Sequence, residues 1–175
     1  WKDDDEMNSI FLIGFMGAGK STIGLELSKK LSFNLVDTDK SIERSQGMKI
    51  TEIFSKKGED FFRELETNEL KLLSNEHNLI VSTGGGIILK DSNREILNNV
   101  FSIYLKADFD IIFERIKEDK TRPLLLTDNP YKTAKEIFES RYELYESFQN
   151  KINTDNKHPK DISDEIVNLY KNYEN

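Results

Sequence analysis

The sequence predicts a single-domain α/β fold in which helices cover both faces of a parallel sheet. Short apolar runs alternate with longer amphipathic segments, the pattern that βαβ units produce. A glycine-rich turn separates the first apolar run from the first amphipathic segment. The 175 residues suffice for one full hydrophobic core, and no internal repeat or low-complexity linker divides them. One three-layer domain is therefore expected.

The individual elements follow from the length and spacing of the apolar runs. The first run is apolar throughout, which indicates a central parallel strand. Thr51 is expected to cap the third helix, and Pro123 and Pro130 to interrupt helical structure. Periodicity stops over 117–129, which is long for a connection and indicates a functional loop. Strands are predicted at 10–13, 35–36, 79–81, 101–105 and 151–153, and helices at 20–31, 39–46, 51–57, 59–74, 91–98, 108–116, 132–149 and from 159 onward.

Composition and charge narrow the class of function. The formal net charge of −7 argues against nucleic acid as a main partner, because phosphate backbones need a basic surface. The absence of cysteine excludes disulfides, thiolate metal sites and a cysteine nucleophile. No apolar run is long enough to span a bilayer, and no secretion signal is recognisable. The acidic residues 1–6 are interpreted as a vector-derived extension, with residues 7–175 as the domain. We expect a cytoplasmic monomer that acts on a small molecule, with neither nucleic acid nor membrane as partner.

The strongest signal is the segment from Gly14 to Ser21, which matches the phosphate-binding pattern G-x-x-x-x-G-K-[ST] at every fixed position. A predicted strand precedes it and a predicted helix follows, as a P-loop requires. Glycines allow successive N–H groups to point at phosphate oxygens, and the helix N-terminus adds a favourable dipole. Lys20 is expected to reach the β- and γ-phosphates, and the Ser21 hydroxyl to coordinate Mg²⁺. A P-loop NTPase fold that binds ATP is predicted.

Two further groups are predicted at the same edge of the sheet. Asp37 and Asp39 follow the second strand, and ligands of open α/β sheets bind beyond the carboxyl ends of strands. One carboxylate is expected to help hold Mg²⁺, with Asp37 the better candidate, while the other orients an acceptor hydroxyl. The alternative is that Asp39 only caps the next helix. Gly84, Gly85 and Gly86 end the third strand, where the backbone can approach a ligand closely or form a flexible turn.

The arginines are ambiguous from the pattern alone. Arg63, Arg115, Arg122 and Arg141 each offer a planar fork suited to carboxylate or phosphate. Arg122 lies in the aperiodic segment, where a lid could carry it to the γ-phosphate. Taken singly, each arginine is better interpreted as a solvated surface charge than as a ligand-binding group.

Together these motifs resemble the shikimate kinase family over nearly the whole chain after Met7. Their order along the chain is specific, whereas the P-loop alone indicates only a superfamily. The resemblance rests on 14–21, 37–39, 53–54, 58–63, 84–86, 122–125, 141–142 and Tyr145. It implies a five-stranded sheet of the nucleoside-monophosphate-kinase type, an acceptor-binding region at about 37–66 and a lid at about 117–129. The implied reaction is transfer of the γ-phosphoryl group of ATP to the 3-hydroxyl of shikimate, in aromatic amino acid biosynthesis.

The resemblance also implies a role for each candidate residue. Asp39 would hold the ring hydroxyls, Arg63 and Arg141 would clamp the acceptor carboxylate, and Arg122 would reach the phosphates from the lid. Lys20, Asp39 and Arg122 are the implied catalytic residues, and Ser21 and Asp37 the implied metal ligands. ATP would contact Gly17, Ala18, Gly19, Lys20, Ser21, Thr22, Arg115, Arg122 and Pro159. Shikimate would contact Asp39, Phe54, Phe62, Arg63, Gly84, Gly85, Gly86 and Arg141.

Other functions remain open from the residues themselves. Arg63 and Arg141 could clamp a phosphate, as in a nucleoside monophosphate kinase, and gluconate is another possible acceptor. A nucleotide-dependent switch would need a guanine-reading Asn-Lys-x-Asp motif. Asn156 and Lys157 occur, but Pro159 stands where the aspartate is required. An inactive relic is disfavoured because Lys20 and both aspartates are intact.

Overall fold

The computed structural model, which describes residues 6–122 and 125–175, contains one parallel sheet with strand order β2-β3-β1-β4-β5. The first strand, β1, therefore lies at the centre. Each neighbouring pair runs parallel, with Ile10 of β1 opposite both Ile80 of β3 and Phe101 of β4. The strands are β1 (Ile10–Ile13), β2 (Asn34–Asp37), β3 (Leu79–Ser82), β4 (Phe101–Lys106) and β5 (Lys151–Asn153).

Helices cover both faces of this sheet. Alternate residues of β1 point to opposite faces, so Ile10 and Leu12 pack with one cluster, and Phe11 and Ile13 with another. Helices α1 and α8 close the first face, and α4 to α7 contribute to the second. The helices are α1 (Lys20–Leu31), α2 (Thr38–Gln46), α3 (Ile50–Lys57), α4 (Glu59–Leu73), α5 (Asp91–Asn98), α6 (Phe109–Ile116), α7 (Pro130–Glu146) and α8 (Pro159–Glu174). The predicted three-layer α/β fold is confirmed.

A third, smaller cluster lies outside the main layers. Ile42 of α2, Ile53 of α3 and Phe62 of α4 pack together, with Phe54 partly buried against them. This cluster gives the connection between β2 and β3 its own apolar support. The connection therefore forms one wall beside the carboxyl edge of the sheet.

The differences from the predicted elements are local. Thr51 does not cap α3: the helix begins at Ile50, and its N-cap residue, Lys49, makes no side-chain cap bond. Pro130 starts α7 instead of interrupting it, because a proline needs no N–H partner at the first helical position, and Asn129 caps the helix by accepting from Lys132 N. A short 3₁₀ turn, Ile87–Leu89, follows the glycine triplet and was not predicted.

Two of the predicted segments lie partly outside the described residues. Residues 1–5 belong to the presumed N-terminal extension, and residues 123–124 belong to the predicted lid. Within the part of the chain that is described, no helix is both long enough and apolar enough to cross a membrane.

Candidate active site

A cavity of about 920 Å³ opens at the carboxyl edge of the sheet. The P-loop, the glycine triplet, α4 and α7 all contribute residues to its lining. Parallel strands direct their C-terminal loops to the same edge, so segments far apart in sequence meet there. The lining includes Gly17, Gly19, Lys20, Ser21, Thr22, Asp37, Asp39, Phe54, Phe62, Arg63, Gly84, Gly85, Gly86, Arg115, Arg122 and Arg141.

The P-loop is shaped by two glycines in the left-handed region, Gly17 (φ 79°) and Gly19 (φ 94°). A side chain at Gly17 would also collide with Ile116, 2.5 Å from the position of a Cβ. Lys20 folds back onto its own loop, where Nζ donates to Gly14 O at 2.5 Å and to Phe15 O at 2.9 Å. Burial lowers the pKa of Lys20 to about 8, although Asp39 opposes the shift. The ammonium is thus held close to the curled backbone, ready to exchange carbonyl oxygens for phosphate oxygens.

The other residues predicted to contact the nucleotide differ in their position. Arg115 is exposed and donates from Nη1 to Gly17 O at 3.0 Å. Arg122 lies farther along the same side, where Nε donates to Asp119 Oδ2 at 2.8 Å. Ala18 is buried and lies outside the cavity lining, and its N–H donates to Phe15 O at 3.1 Å. Pro159 begins α8 and also lies outside the lining.

The two aspartates after β2 have different surroundings. Asp37 caps α2 by accepting from Lys40 N at 3.1 Å, so the capping role considered for Asp39 falls to Asp37. Asp39 Oδ1 is buried and has no hydrogen-bond partner within the described residues. Burial, reinforced by the negative charge of Asp37, raises the pKa of Asp39 to about 6, while Lys20 acts in the opposite direction. A buried polar atom without a partner suits a site that awaits a ligand hydroxyl.

The arginine on α4 is part of a buried ion-pair network. Arg63 Nη1 donates to Glu66 Oε1 at 2.5 Å, and Nη2 donates to Glu59 Oε1 at 3.1 Å. Its side chain is only 12% exposed and that of Glu66 only 1%. Burial raises the pKa of Glu66 to about 7 in spite of the neighbouring arginine. The alternative interpretation of Arg63 as a solvated charge is therefore wrong, because it lies inside the cavity wall.

The glycine triplet lies where side chains would not fit. A Cβ on Gly84 would be 2.6 Å from Asp39 Oδ1 and 3.0 Å from Glu66 Oε2. Like Asp39 Oδ1, Glu66 Oε2 is buried and has no hydrogen-bond partner within the described residues. A Cβ on Gly86 would be 2.3 Å from Arg63 Nη1. Gly84 is anchored through its N–H, which donates to Thr38 Oγ1 at 3.0 Å. The triplet thus allows carboxylate and guanidinium groups to lie directly on the backbone.

A second arginine reaches the cavity from α7. Arg141 is 7% exposed, so its interpretation as a solvated surface charge is also wrong. Four residues later on the same helical face, the Tyr145 hydroxyl donates to Gly85 O. On the opposite wall, the rings of Phe54 and Phe62 lie 5.1 Å apart and line the cavity. The acceptor end therefore combines two buried arginines, two acids and an aromatic surface.

Sequence reasoning missed several residues of this site. Glu66, Thr38 and Glu59 were not singled out, and Tyr145 was quoted without a role. Glu59 and Glu66 lie four residues before and three after Arg63 on α4, a spacing that brings side chains together on a helix. That spacing was the available signal for both acids. The contact of Thr38 with Gly84 has no comparable signal, because it joins residues 46 positions apart.

Comparison with known proteins gives one consistent family. The family model described as "Shikimate kinase" matches residues 16–171. A protein named shikimate kinase from Thermodesulfovibrio yellowstonii is 41% identical over 170 residues, covering 97% of this chain and 98% of the relative. The structure titled shikimate kinase from Acinetobacter baumannii in complex with shikimate has a TM-score of 0.89 at 36% identity and covers 95% of this chain and 94% of that one. The shikimate kinase from Aquifex aeolicus has a TM-score of 0.81 at 35% identity, covering 94% and 96%.

Proposed function

The chain belongs to the shikimate kinase family, and we propose that it transfers the γ-phosphoryl group of ATP to the 3-hydroxyl of shikimate. One observation carries the proposal: within the described residues, a single cavity brings together the P-loop lysine, an aspartate with an unpartnered buried oxygen, and the largely buried Arg63 and Arg141. A carboxylated ring with hydroxyl groups matches the aspartate and the two arginines. A nucleotide alone would leave both arginines without a function.

At the nucleotide end, Lys20 neutralises charge on the β- and γ-phosphates, and the P-loop amides of Gly17 and of residues 19–22 orient them. Arg122 supplies a further positive charge from the lid once it leaves Asp119. Ser21 and Asp37 fit Mg²⁺, because one hydroxyl and one carboxylate at the phosphate end leave positions for phosphate oxygens and water. No group of three or more acidic or histidine side chains among the described residues could hold a metal alone. The bound ion would neutralise charge on the phosphates.

At the acceptor end, Arg63 and Arg141 bind the carboxylate, and charge-assisted hydrogen bonds from two sides fix the ring. Glu59 and Glu66 hold the Arg63 guanidinium in a defined plane before the acceptor arrives. Gly84, Gly85 and Gly86 allow the ring to lie against the backbone, and Phe54 and Phe62 cover its apolar face. Preorganisation of this kind lowers the entropy lost on binding.

Phosphoryl transfer depends on alignment and charge neutralisation more than on covalent chemistry. Asp39 orients the attacking hydroxyl through its unpartnered oxygen and accepts its proton as the new P–O bond forms. Its pKa of about 6 leaves it ionised at neutral pH, yet basic enough to take that proton. The γ-phosphorus passes from the ADP oxygen to the acceptor oxygen in line, and ADP leaves on the side of Lys20.

The test is ADP release from Mg-ATP in a coupled assay with shikimate, gluconate or a nucleoside monophosphate as acceptor. We expect strong stimulation by shikimate alone and loss of turnover when Lys20→Ala removes the phosphate-binding ammonium. If gluconate or the nucleoside monophosphate stimulated ADP release instead, the assignment of shikimate as the acceptor would be wrong. ATP binding without stimulated turnover by any acceptor would contradict the kinase proposal. We further propose that the enzyme acts as a cytoplasmic monomer in aromatic amino acid biosynthesis, and size-exclusion chromatography would test the monomer.

A further inference from the structure

Tyr145 lies behind the acceptor pocket, and the mechanism above assigns it no task. The side chain is fully buried, and its ring stacks on that of Tyr104 with centroids 5.1 Å apart and planes 10° apart. A buried tyrosine needs a partner for its hydroxyl, since an unsatisfied O–H in the interior is costly. The identity of that partner distinguishes Tyr145 from an ordinary core residue.

The partner is the middle peptide of the glycine triplet, because the Tyr145 hydroxyl donates to Gly85 O. Gly85 also lies against the P-loop: a Cβ there would lie 3.4 Å from Met16 N and 3.7 Å from both Gly14 O and the Tyr145 hydroxyl. Three successive glycines would otherwise leave this peptide free to rotate. The hydrogen bond therefore selects one orientation of the triplet.

The same hydroxyl is linked to both arginines of the acceptor site. Arg141 lies one helical turn before Tyr145, and its guanidinium is next to the Tyr145 hydroxyl. Burial raises the pKa of Tyr145 to about 12, and the positive charge of Arg141 opposes that rise. The link to Arg63 is indirect. No cis peptide occurs in the described chain, so holding Gly85 O also fixes the N–H of Gly86 on the opposite side of the same peptide. The Arg63 guanidinium lies directly against Gly86.

We propose that Tyr145 is a positioning residue for the acceptor carboxylate: its hydroxyl fixes the Gly85 peptide and so holds Arg63, Arg141 and the triplet in binding geometry. The inference rests on the proposed function, because it presumes that the two arginines bind a carboxylate. It assigns Tyr145 no contact with the transferring phosphoryl group. Loss of the Tyr145 hydroxyl should therefore raise the KM for the acceptor more than it lowers kcat or raises the KM for ATP.

The experiment compares Tyr145→Phe with Tyr104→Phe in the full-length protein. Both variants lose one hydroxyl from the same stacked pair, but only Tyr145 donates to Gly85. We expect Tyr145→Phe to raise the KM for shikimate about three- to ten-fold, the effect of losing one buried hydrogen bond. The KM for ATP should stay within about two-fold in both variants, which also reports an intact fold. Tyr104→Phe should leave the KM for shikimate unchanged.

A second substrate separates positioning from general loosening. The methyl ester of shikimate lacks the negative charge of the carboxylate, so the kcat/KM of the wild-type enzyme should be much higher for shikimate than for the ester. Tyr145→Phe should reduce the ratio of these two kcat/KM values. The inference is overturned if Tyr145→Phe leaves the KM and this ratio unchanged. It is equally overturned if Tyr104→Phe raises the KM as much, or if the KM for ATP rises in parallel. If the wild-type enzyme does not phosphorylate shikimate at all, the proposed function fails first and the inference with it.

Discussion

Gly86→Ala should damage acceptor binding while leaving ATP binding almost unchanged. The backbone at Gly86 (φ −92°, ψ 3°) lies outside the left-handed region, so its conformation does not require glycine. The new Cβ would lie 2.3 Å from Arg63 Nη1 and 2.6 Å from Nη2, whereas ordinary contacts begin at 3.4 Å. The guanidinium must therefore retreat by about 1 Å, which breaks its 2.5 Å bond to Glu66 and moves it from the carboxylate position.

The expected magnitude follows from the bond to the acceptor carboxylate that the displaced guanidinium loses. A hydrogen bond to a charged group contributes about 1.5–3 kcal/mol, so the KM for shikimate should rise about 10- to 150-fold. The KM for ATP should change by less than about two-fold, because the P-loop is untouched. Both constants can be obtained from the coupled ADP-release assay by varying one substrate at saturating levels of the other. A shikimate KM close to that of the wild type would refute the argument that the triplet serves to seat Arg63.

Gly47→Ala is the matched control for this experiment. Gly47 adopts φ 65° at the end of α2, and a Cβ there would meet nothing within 4 Å. Alanine in the left-handed region should lower the free energy of unfolding by about 1 kcal/mol and leave both KM values unchanged. When urea unfolding is measured beside kinetics, only Gly86→Ala should therefore raise the KM for shikimate, whereas Gly47→Ala should lose stability with normal kinetics.

Three further substitutions test the acceptor end. Asp39→Asn should lower kcat by about 100-fold or more with little change in ATP affinity, and near-normal turnover would contradict its role as orienting base. Arg141→Ala should chiefly raise the KM for shikimate, measured by varying shikimate at saturating ATP; an unchanged KM would exclude it from the carboxylate clamp. Burial raises the pKa of Glu66 from 4.5 to about 7, so its contribution to stability is present below pH 4.5 and is lost as pH rises through about 7. Glu66→Gln should remove this contribution, so its unfolding free energy should fall less between pH 4.5 and 7 than that of the wild type. Urea unfolding at a series of pH values measures this, and an equal dependence on pH in both proteins would contradict the burial argument.

The parts of the site that sequence predicted are those set by local chemistry. The P-loop is recognisable because its turn needs glycines at fixed offsets, and Gly17 and Gly19 do adopt positive φ. The strand and helix boundaries around it, 10–13 and 20–31, coincide with those of the structure. A short motif whose backbone conformation is determined by its own residues can thus be located without knowledge of the tertiary fold.

The missed parts depend on contacts between distant segments. Whether Asp37 or Asp39 caps α2 depends on where the helix begins, and a start two residues later would move the cap from Asp37 to Asp39. For Glu66 the sequence offers only the helical spacing from Arg63, and its burial at the carboxyl edge is what reveals its importance. The role of Tyr145 depends on Gly85, 60 residues earlier, which accepts its hydrogen bond. Thr51 shows the converse, since its cap signal was outweighed by the packing of α3 through Ile53.

Because β1 is central, most of the candidate acceptor contacts lie on one side of the phosphate-binding strand. Strands β2 and β3 lie on one side of the phosphate-binding strand, and β4 and β5 on the other. Apart from Arg141, the candidate acceptor contacts all come from the continuous segment 37–86, which contains both flanking strand ends of the first side. Evolution could therefore change the acceptor by altering one stretch of the gene while the P-loop is inherited unchanged.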